Sequence, residues 1–227
     1  MALALRSTKI KYTKATTVLD GLVYRNQFYS SQKIGIGAGS AYFDGSSYIN
    51  FGTAISLSTF TVSFWVNALN ISGNRFVYSA ADSASDGVNI FFTTSTNIRC
   101  VVNSNTMNTT VTTGEWVHFA LVSNGSNMTS YVNGRLVSTT ASGAVSVTAT
   151  PRIGTRSYST ITTLMLGFMQ NVSVWNVVLT QDQINAMRFT TYETLPTTTG
   201  LVHYWKMYDQ SGTTIPDSHG TNTGTAV

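Results

Sequence analysis

The acidic residues are too sparse to form a catalytic pair. The chain has nine of them, only two of which are glutamates, Glu115 and Glu193, and no strand-like run carries two carboxylates at i, i+2 or i, i+4. Retaining glycoside hydrolysis needs two carboxyl groups about 5–5.5 Å apart. No nucleophile elbow or triad order points to another enzyme class. The sequence therefore predicts a protein without catalytic activity.

Three aspartates are candidate metal ligands. Asp44, Asp209 and Asp217 all lie in turns rich in Gly and Ser, the oxygen-rich setting that Ca²⁺ favours. Aspartate also stabilises such turns by accepting hydrogen bonds from the nearby backbone, so either role fits the pattern. No Cys/His cluster indicates zinc, and a structural Ca²⁺ is the one cofactor predicted.

Aromatic residues outside the main apolar pattern are candidates for stacking on sugar rings. Trp65 lies on the opposite side of its strand from Phe64 and Val66, and Tyr158 and Tyr204 lie near turns. These three are the predicted glycan-binding residues. The alternative for each is a place in the core, where sandwich folds bury many aromatic side chains.

Positive charge is concentrated at the N-terminus. Residues 1–38 carry a net charge of +5, whereas the rest of the chain sums to −1. We expect this basic arm, with Arg6, Lys9, Lys11 and Lys14, to contact other protein subunits of an assembly; a solvated leader is the alternative. Nucleic acid is not the expected partner because no recognition motif is present. No run reaches the ~18 apolar residues of a membrane span.

The order of patterns predicts an all-β fold. "STFTVSFWVNAL" alternates with period 2, as a strand does, and Asn133-Gly134 lies between two apolar runs as in a type I′ hairpin. Thr180 and Gln183 form a capping box that predicts one short helix near residues 180–188. Many strands with one helix indicate an antiparallel two-sheet jelly-roll sandwich over residues 39–227.

A family resemblance then becomes visible. The segments "AYFDGSSYINFG", "FTVSFWV", "GEWVHFALVSNGSNMTSYVNGRLV", "RIGT" and "GFMQNVSVWNVVLTQDQINAM" follow one another in that order. Together they resemble the LamG-like jelly-roll domain of the concanavalin A-like lectin/glucanase superfamily, over about residues 41–190. The resemblance implies two stacked curved sheets, with a helix packed on the sandwich after "VWN". It also implies a structural Ca²⁺ at one end, as many relatives have.

The tail resembles the segment that usually opens such a domain. "GLVHYWKMYDQSGTTIPDSHG" stands at residues 200–220, whereas the degenerate "DGLVYRNQFYS" occupies residues 20–30. We expect residues 200–227 to be the closing strand and turns of the same sandwich. Pairing with a neighbouring subunit and a truncated second repeat are the alternatives.

Two functions fit these features. The first is a structural module on the surface of a virion, such as a phage decoration or fibre protein, anchored by its arm and assembled as a homo-oligomer. Two features favour this first function. The charged fraction is only 10%, against roughly 25% in typical globular proteins, and no signal peptide is recognisable. The alternative is a secreted or cell-surface glycan-binding adhesion module.

Overall fold

Short alternating segments form seventeen β-strands and one α-helix in the computed structural model, which describes residues 39–227. The helix, α1, spans Gln181–Met187, and a 3₁₀ turn follows at Tyr192–Thr194. The strands are β1 (Ala41–Asp44), β2 (Ile49–Phe51), β3 (Ile55–Leu57), β4 (Phe60–Ala68), β5 (Arg75–Ala80), β6 (Val88–Thr94), β7 (Asn97–Val102), β8 (Asn105–Thr110), β9 (Val117–Ser123), β10 (Asn127–Val132), β11 (Arg135–Ala141), β12 (Val147–Ala149), β13 (Arg152–Ile153), β14 (Leu166–Trp175), β15 (Leu201–Trp205), β16 (Thr214–Ile215) and β17 (Gly224–Ala226). The predicted basic-arm residues Arg6, Lys9, Lys11 and Lys14 lie outside the described residues.

The strands form two antiparallel sheets. The seven-stranded sheet has the order β1-β14-β4-β9-β10-β11, with β15 also paired to β14. The eight-stranded sheet has the order β16-β17-β2-β13-β5-β6-β7-β8, and β12 pairs with β3 in a short third ladder. This two-sheet sandwich with one helix confirms the predicted jelly-roll fold.

The core lies between the inner faces of the two sheets. Phe60, Val62 and Phe64 of β4 are fully buried there, which confirms the period-2 pattern read from the sequence. Cys100 of β7 faces the same core and is a free, buried cysteine. Burying such large apolar side chains supplies the main driving force for folding.

The helix α1 covers the outer face of the seven-stranded sheet. Thr180 Oγ1 accepts a hydrogen bond from the Gln183 backbone N–H, and the Thr180 N–H donates to Gln183 Oε1, so the predicted capping box is present. Ile184 and Met187 pack with Leu179 against Trp175 of β14. The part of this face around Trp175 and Tyr204 is therefore covered by α1 and closed to solvent.

The hairpin between β10 and β11 has the turn that the sequence predicts. Asn133 and Gly134 have φ values of 50° and 76°, as a type I′ turn requires. The Gly134 backbone lies against α1, and a Cβ atom there would approach Asn185 Cα to 3.0 Å. Glycine at this position therefore permits both the left-handed backbone and the close approach of the helix.

The tail strands pair within their own chain. One edge of β14 is shared by two strands. Residues 166–169 of β14 pair with β1, and residues 172–175 pair with β15. β17 pairs with β2 in the eight-stranded sheet. Trp205 is fully buried, and its indole Nε1 donates to the Asn222 carbonyl. The tail thus contributes strands to both sheets of the sandwich.

Candidate functional site

Two of the three predicted glycan-binding aromatics are buried. Trp65 and Tyr204 are each 1% exposed. Trp65 packs edge-on against His118 with 5.3 Å between ring centroids, and Tyr204 lies 5.3 Å from Tyr192. Since neither ring presents a face to solvent, stacking of a sugar on Trp65 or Tyr204 is not compatible with this structure.

Tyr158 is the predicted aromatic that reaches the surface. It lies half-buried in the loop between β13 and β14. Its ring meets Phe76 edge-on at 6.4 Å, and the guanidinium carbon of Arg156 stands 5.7 Å from its centroid. Tyr158 is therefore held in place while part of it stays accessible.

A shallow pocket lies beside the turn between β1 and β2. Its volume is about 100 Å³, and its lining includes Tyr42, Tyr48, Ser47, Gln210 and Gly212. Tyr42 is 54% exposed. Two tyrosines, a serine and a glutamine thus line one small concave surface together with apolar residues. This combination suits a ligand that has both apolar faces and hydroxyl groups.

Both tyrosine walls are supported by neighbouring side chains. The Tyr42 ring lies 4.9 Å from Phe168, its partner in the β1–β14 ladder. The guanidinium of Arg152 stands 5.8 Å from the centroid of Tyr48. The Tyr48 backbone also exchanges two hydrogen bonds with Val227, of 3.1 and 2.9 Å. The end of the chain therefore fixes one wall of the pocket.

Asp44 organises the turn that carries Ser47. Its Oδ1 accepts hydrogen bonds of 2.8–2.9 Å from the backbone N–H and the hydroxyl of both Ser46 and Ser47. The bonds from Ser46, followed by those from Ser47, hold the pKa of Asp44 well below its usual range. Asp44 stays ionised at neutral pH and keeps the Ser47 hydroxyl at the edge of the pocket.

Asp217 anchors the tail through both of its carboxylate oxygens. Oδ1 accepts from the backbone N–H groups of Tyr204 and Gly220, each at 3.0 Å, and from that of His219 at 3.2 Å. Oδ2 accepts from His203 Nδ1 at 2.6 Å and from the Asn222 N–H at 3.0 Å. Burial alone would raise the pKa of Asp217, but these hydrogen bonds lower it to about 2.

The three predicted calcium ligands do not form a common site in this structure. The described residues contain no group of three or more His, Cys, Asp or Glu side chains that could hold a metal ion. Both carboxylate oxygens of Asp217 and Oδ1 of Asp44 already accept hydrogen bonds. Asp209 has a buried Oδ1 without a hydrogen-bond partner among the described residues. These aspartates do not fit a shared Ca²⁺ site, and calcium binding stays a prediction from the sequence.

Two side chains that could serve as acid or base, Glu193 and His118, already have structural roles. Glu193 accepts a 2.6 Å hydrogen bond from Lys206 Nζ, which lowers the pKa of Glu193 to about 2. His118 is buried and bonded to Ser63 through Nε2, and burial, with the charge of Arg188, lowers the pKa of His118 to about 3. A glycosidase general acid needs a raised carboxyl pKa, which neither arrangement provides.

Sequence patterns did not single out Tyr42 or Gln210 as site residues. Alternation along β1 could have shown that Tyr42 points away from buried Ala41 and Phe43. Gln210 comes to the pocket from the tail, far along the chain from Ser47. Only the pairing of β16 and β17 with the sheet that contains β2 brings these segments together.

Comparison with known structures identifies the same architecture in other proteins. A candidate carbohydrate-binding protein from Bacteroides ovatus matches with a TM-score of 0.69 and 20% identity over 82% of this chain, which spans only 57% of that protein. A heptameric SAP-like pentraxin from Limulus polyphemus matches with a TM-score of 0.59 and 16% identity, covering 82% of this chain and 94% of the pentraxin. The CBM40 of the Ruminococcus gnavus IT-sialidase, solved with α2,3-sialyllactose, matches with a TM-score of 0.51 and 13% identity, covering 67% of this chain and 98% of that domain.

These similarities establish the fold, while sequence establishes the family. Curated protein sequences give no significant match. The family model described as the concanavalin A-like lectin/glucanases superfamily matches residues 43–185, more than half of the chain. The chain therefore belongs to the concanavalin A-like lectin/glucanase superfamily.

Proposed function

We propose that this protein is a non-catalytic glycan-binding module that holds a sugar in the pocket between Tyr42 and Tyr48. The observation that carries the proposal is that two supported tyrosines, Ser47 and Gln210 line one pocket. An extracellular or cell-surface location goes with this function.

The chemistry of the pocket suits a sugar ring. Tyrosine supplies a large, rigid contact area that loses little conformational entropy on binding. The Gln210 amide can both donate to and accept from sugar hydroxyls, whereas the Ser47 hydroxyl, which donates to Asp44 Oδ1, can accept from them. Because Asp44 fixes Ser47 and Phe168 supports Tyr42, these groups are positioned before the ligand arrives, which reduces the cost of binding.

The structural relatives support a binding role. Two of them, from Bacteroides ovatus and Ruminococcus gnavus, have names that state carbohydrate binding or a bound sialyllactose. The low pKa of Glu193 and the burial of His118 favour binding without catalysis.

A glycan array followed by calorimetry tests the proposal. The full chain should bind at least one class of glycan, and Tyr42→Ala and Gln210→Ala should each weaken the best interaction about tenfold, which corresponds to about 1.4 kcal/mol. Phe189→Ala is the matched control, because Phe189 is an exposed aromatic, 38% accessible, that is not part of the pocket lining. A chain that binds no glycan, or Tyr42→Ala binding as tightly as the control, would refute the pocket.

A second candidate function is a structural role on a virion or similar particle. The concentration of net charge +5 in residues 1–38 favours it, because a basic arm can bind acidic neighbours in an assembly. Deleting residues 1–33 should then prevent incorporation into particles while the melting temperature stays the same. Unchanged incorporation would leave glycan binding as the sole proposal.

A further inference from the structure

The outer face of the eight-stranded sheet carries two cross-strand rows of side chains. Along each strand these residues alternate with core residues such as Ile90 and Cys100, so they lie on the side away from the core. One row runs Asn50, Arg152, Ser79, Asn89, Val101, Thr106, and the other runs Phe76, Phe91, Arg99, Asn108. Phe76, Phe91 and Val101 form a small buried apolar cluster on this face, whereas Arg99 and Arg152 are partly exposed beside it.

Each arginine on this face has its Nε atom already bonded. Arg99 Nε donates to Asn108 Oδ1 and Arg152 Nε to Asn50 Oδ1, both at 3.0 Å. Arg156, in the loop after β13, donates from Nε to the Thr160 carbonyl at 3.0 Å. These bonds fix the guanidinium planes. The terminal nitrogens of Arg99 make no further hydrogen bond among the described residues, whereas the Arg156 guanidinium also hydrogen-bonds the Tyr158 side chain.

An apolar strip separates Arg99 from the two other arginines. Phe76 and Phe91 stack with 4.5 Å between centroids and an interplanar angle of 13°. Tyr158 meets Phe76 edge-on. Three strand spacings of about 4.8 Å separate β13 from β7, and Arg99 lies two residues along β7 from Val101, which is in register with Arg152; the two arginine Cα atoms are therefore roughly 16 Å apart. Because Phe76 and Phe91 are buried, the half-buried Tyr158 is the aromatic side chain of this group that a ligand can reach between the arginines.

Negative charge is absent from the strands of this sheet. None of its eight strands contains Asp or Glu. Within residues 39–227, no carboxylate forms a salt bridge with Arg99, Arg152 or Arg156. Asp82 and Asp86 occupy the loop between β5 and β6, where Asp86 Oδ1 accepts from the Gly87 N–H. An ordered, unpaired guanidinium favours a planar anionic partner that can accept two hydrogen bonds.

We propose that this outer face binds an acidic polysaccharide. Arg99, Arg152 and Arg156 pair with its carboxylate or sulfate groups, and Tyr158 packs against a sugar ring between them. The inference rests on the proposed glycan-binding function, to which it adds a second surface and the charge of the ligand.

Calorimetry with the full chain at constant salt tests this proposal. The probes are polygalacturonate for carboxylates, dextran sulfate for sulfates, neutral dextran, and single-stranded DNA as a polyanion without acidic sugars. The protein should bind at least one acidic polysaccharide and bind DNA and neutral dextran at least tenfold more weakly. Polygalacturonate and dextran sulfate together show which anionic group is recognised. Failure to bind either of them, or equal affinity for DNA, would overturn the proposal.

Arginine-to-glutamine variants locate the binding surface. Arg99→Gln/Arg156→Gln should weaken binding about 100-fold, since each lost charge-assisted pair accounts for about tenfold; Arg152 is left unchanged because it also supports Tyr48 of the pocket. Arg135→Gln on β11 of the other sheet is the control and should bind as the unmodified chain does. Arg99→Lys keeps the charge but loses the two-pronged donor, so a clear loss supports paired hydrogen bonding; full binding would overturn it.

Two further outcomes separate this proposal from its alternatives. If replacing Arg6, Lys9, Lys11 and Lys14 by Gln abolishes binding while the Arg99→Gln/Arg156→Gln variant binds normally, the outer face is not the site. If the pocket binds a neutral glycan and no acidic polysaccharide binds, the proposed function stands and this inference is wrong. Melting curves of all variants identify any that have failed to fold.

Discussion

Replacing Asp217 with Ala tests whether the tail is held by one carboxylate. Asp217 accepts five hydrogen bonds, and its side chain is 1% exposed. The substitution leaves His203 Nδ1 and the backbone N–H groups of Tyr204 and Asn222 without their acceptor in a largely buried site. Each buried donor left without its acceptor costs about 1–3 kcal/mol, so we expect a total loss of about 3–5 kcal/mol. Typical domains have only about 5–15 kcal/mol of total stability.

Urea denaturation followed by circular dichroism measures this cost. At pH 7 the midpoint of Asp217→Ala should fall by an amount corresponding to about 3–5 kcal/mol with an unchanged m-value. Asp44→Ala is the control: it also removes a turn aspartate with several hydrogen bonds, but at an exposed position, and its effect should be much smaller. A loss below about 1 kcal/mol for Asp217→Ala would refute the anchoring role.

The pH dependence provides a second check on the same residue. Because the pKa of Asp217 falls from 3.8 to about 2 on folding, its stabilising contribution is present above pH 4. That contribution is lost as the pH falls through about 2. The shift corresponds to roughly 2 kcal/mol. The difference in unfolding free energy between the unmodified chain and Asp217→Ala should therefore shrink by this amount between pH 5 and pH 2. A constant difference would contradict the ionised state of Asp217.

Three further perturbations test the fold. Gly134→Ala should lower the free energy of unfolding by at least 1 kcal/mol more than Gly73→Ala does. Both glycines have positive φ, but only at Gly134 would a new Cβ meet Asn185. Equal melting temperatures of the two variants would contradict this. Burial raises the pKa of the Cys100 thiol, so a thiol reagent should label it only as fast as the protein unfolds, and rapid labelling of the native state would show an accessible thiol. Deleting residues 200–227 removes buried Trp205 and should abolish cooperative melting, whereas an unchanged transition would mean that the tail is not part of the core.

Local sequence signals predicted the elements that depend on nearby residues. The alternation in β4, the left-handed pair Asn133-Gly134 and the capping box of Thr180 with Gln183 each involve residues within a few positions of one another. Their geometry follows from backbone preferences and hydrogen bonds that need no distant partner. These elements were therefore predictable before the tertiary structure was known.

The exposure of single aromatic side chains was not predictable in this way. Period 2 places Trp65 and Phe64 on opposite faces of β4 but does not show what packs on either face. Tyr204 belongs to the same apolar cluster as Ile184 and Met187 of α1, and its burial depends on where that helix docks. An outward strand residue is accessible only where no other element covers it, and that covering arises from contacts distant in sequence.

The tail links the stability of the sandwich to the composition of the pocket. Residues 200–227 supply buried Trp205 to the core, and they also contribute Gln210 and Gly212 to the pocket lining. A truncation would therefore remove binding and folding together and could not assign either role. Gln210→Ala separates them, because the Asp217 anchor and the β15 and β17 pairings do not involve the Gln210 side chain. Loss of glycan binding with an unchanged melting temperature in that variant would show that the closing segment of the sandwich is also part of its binding site.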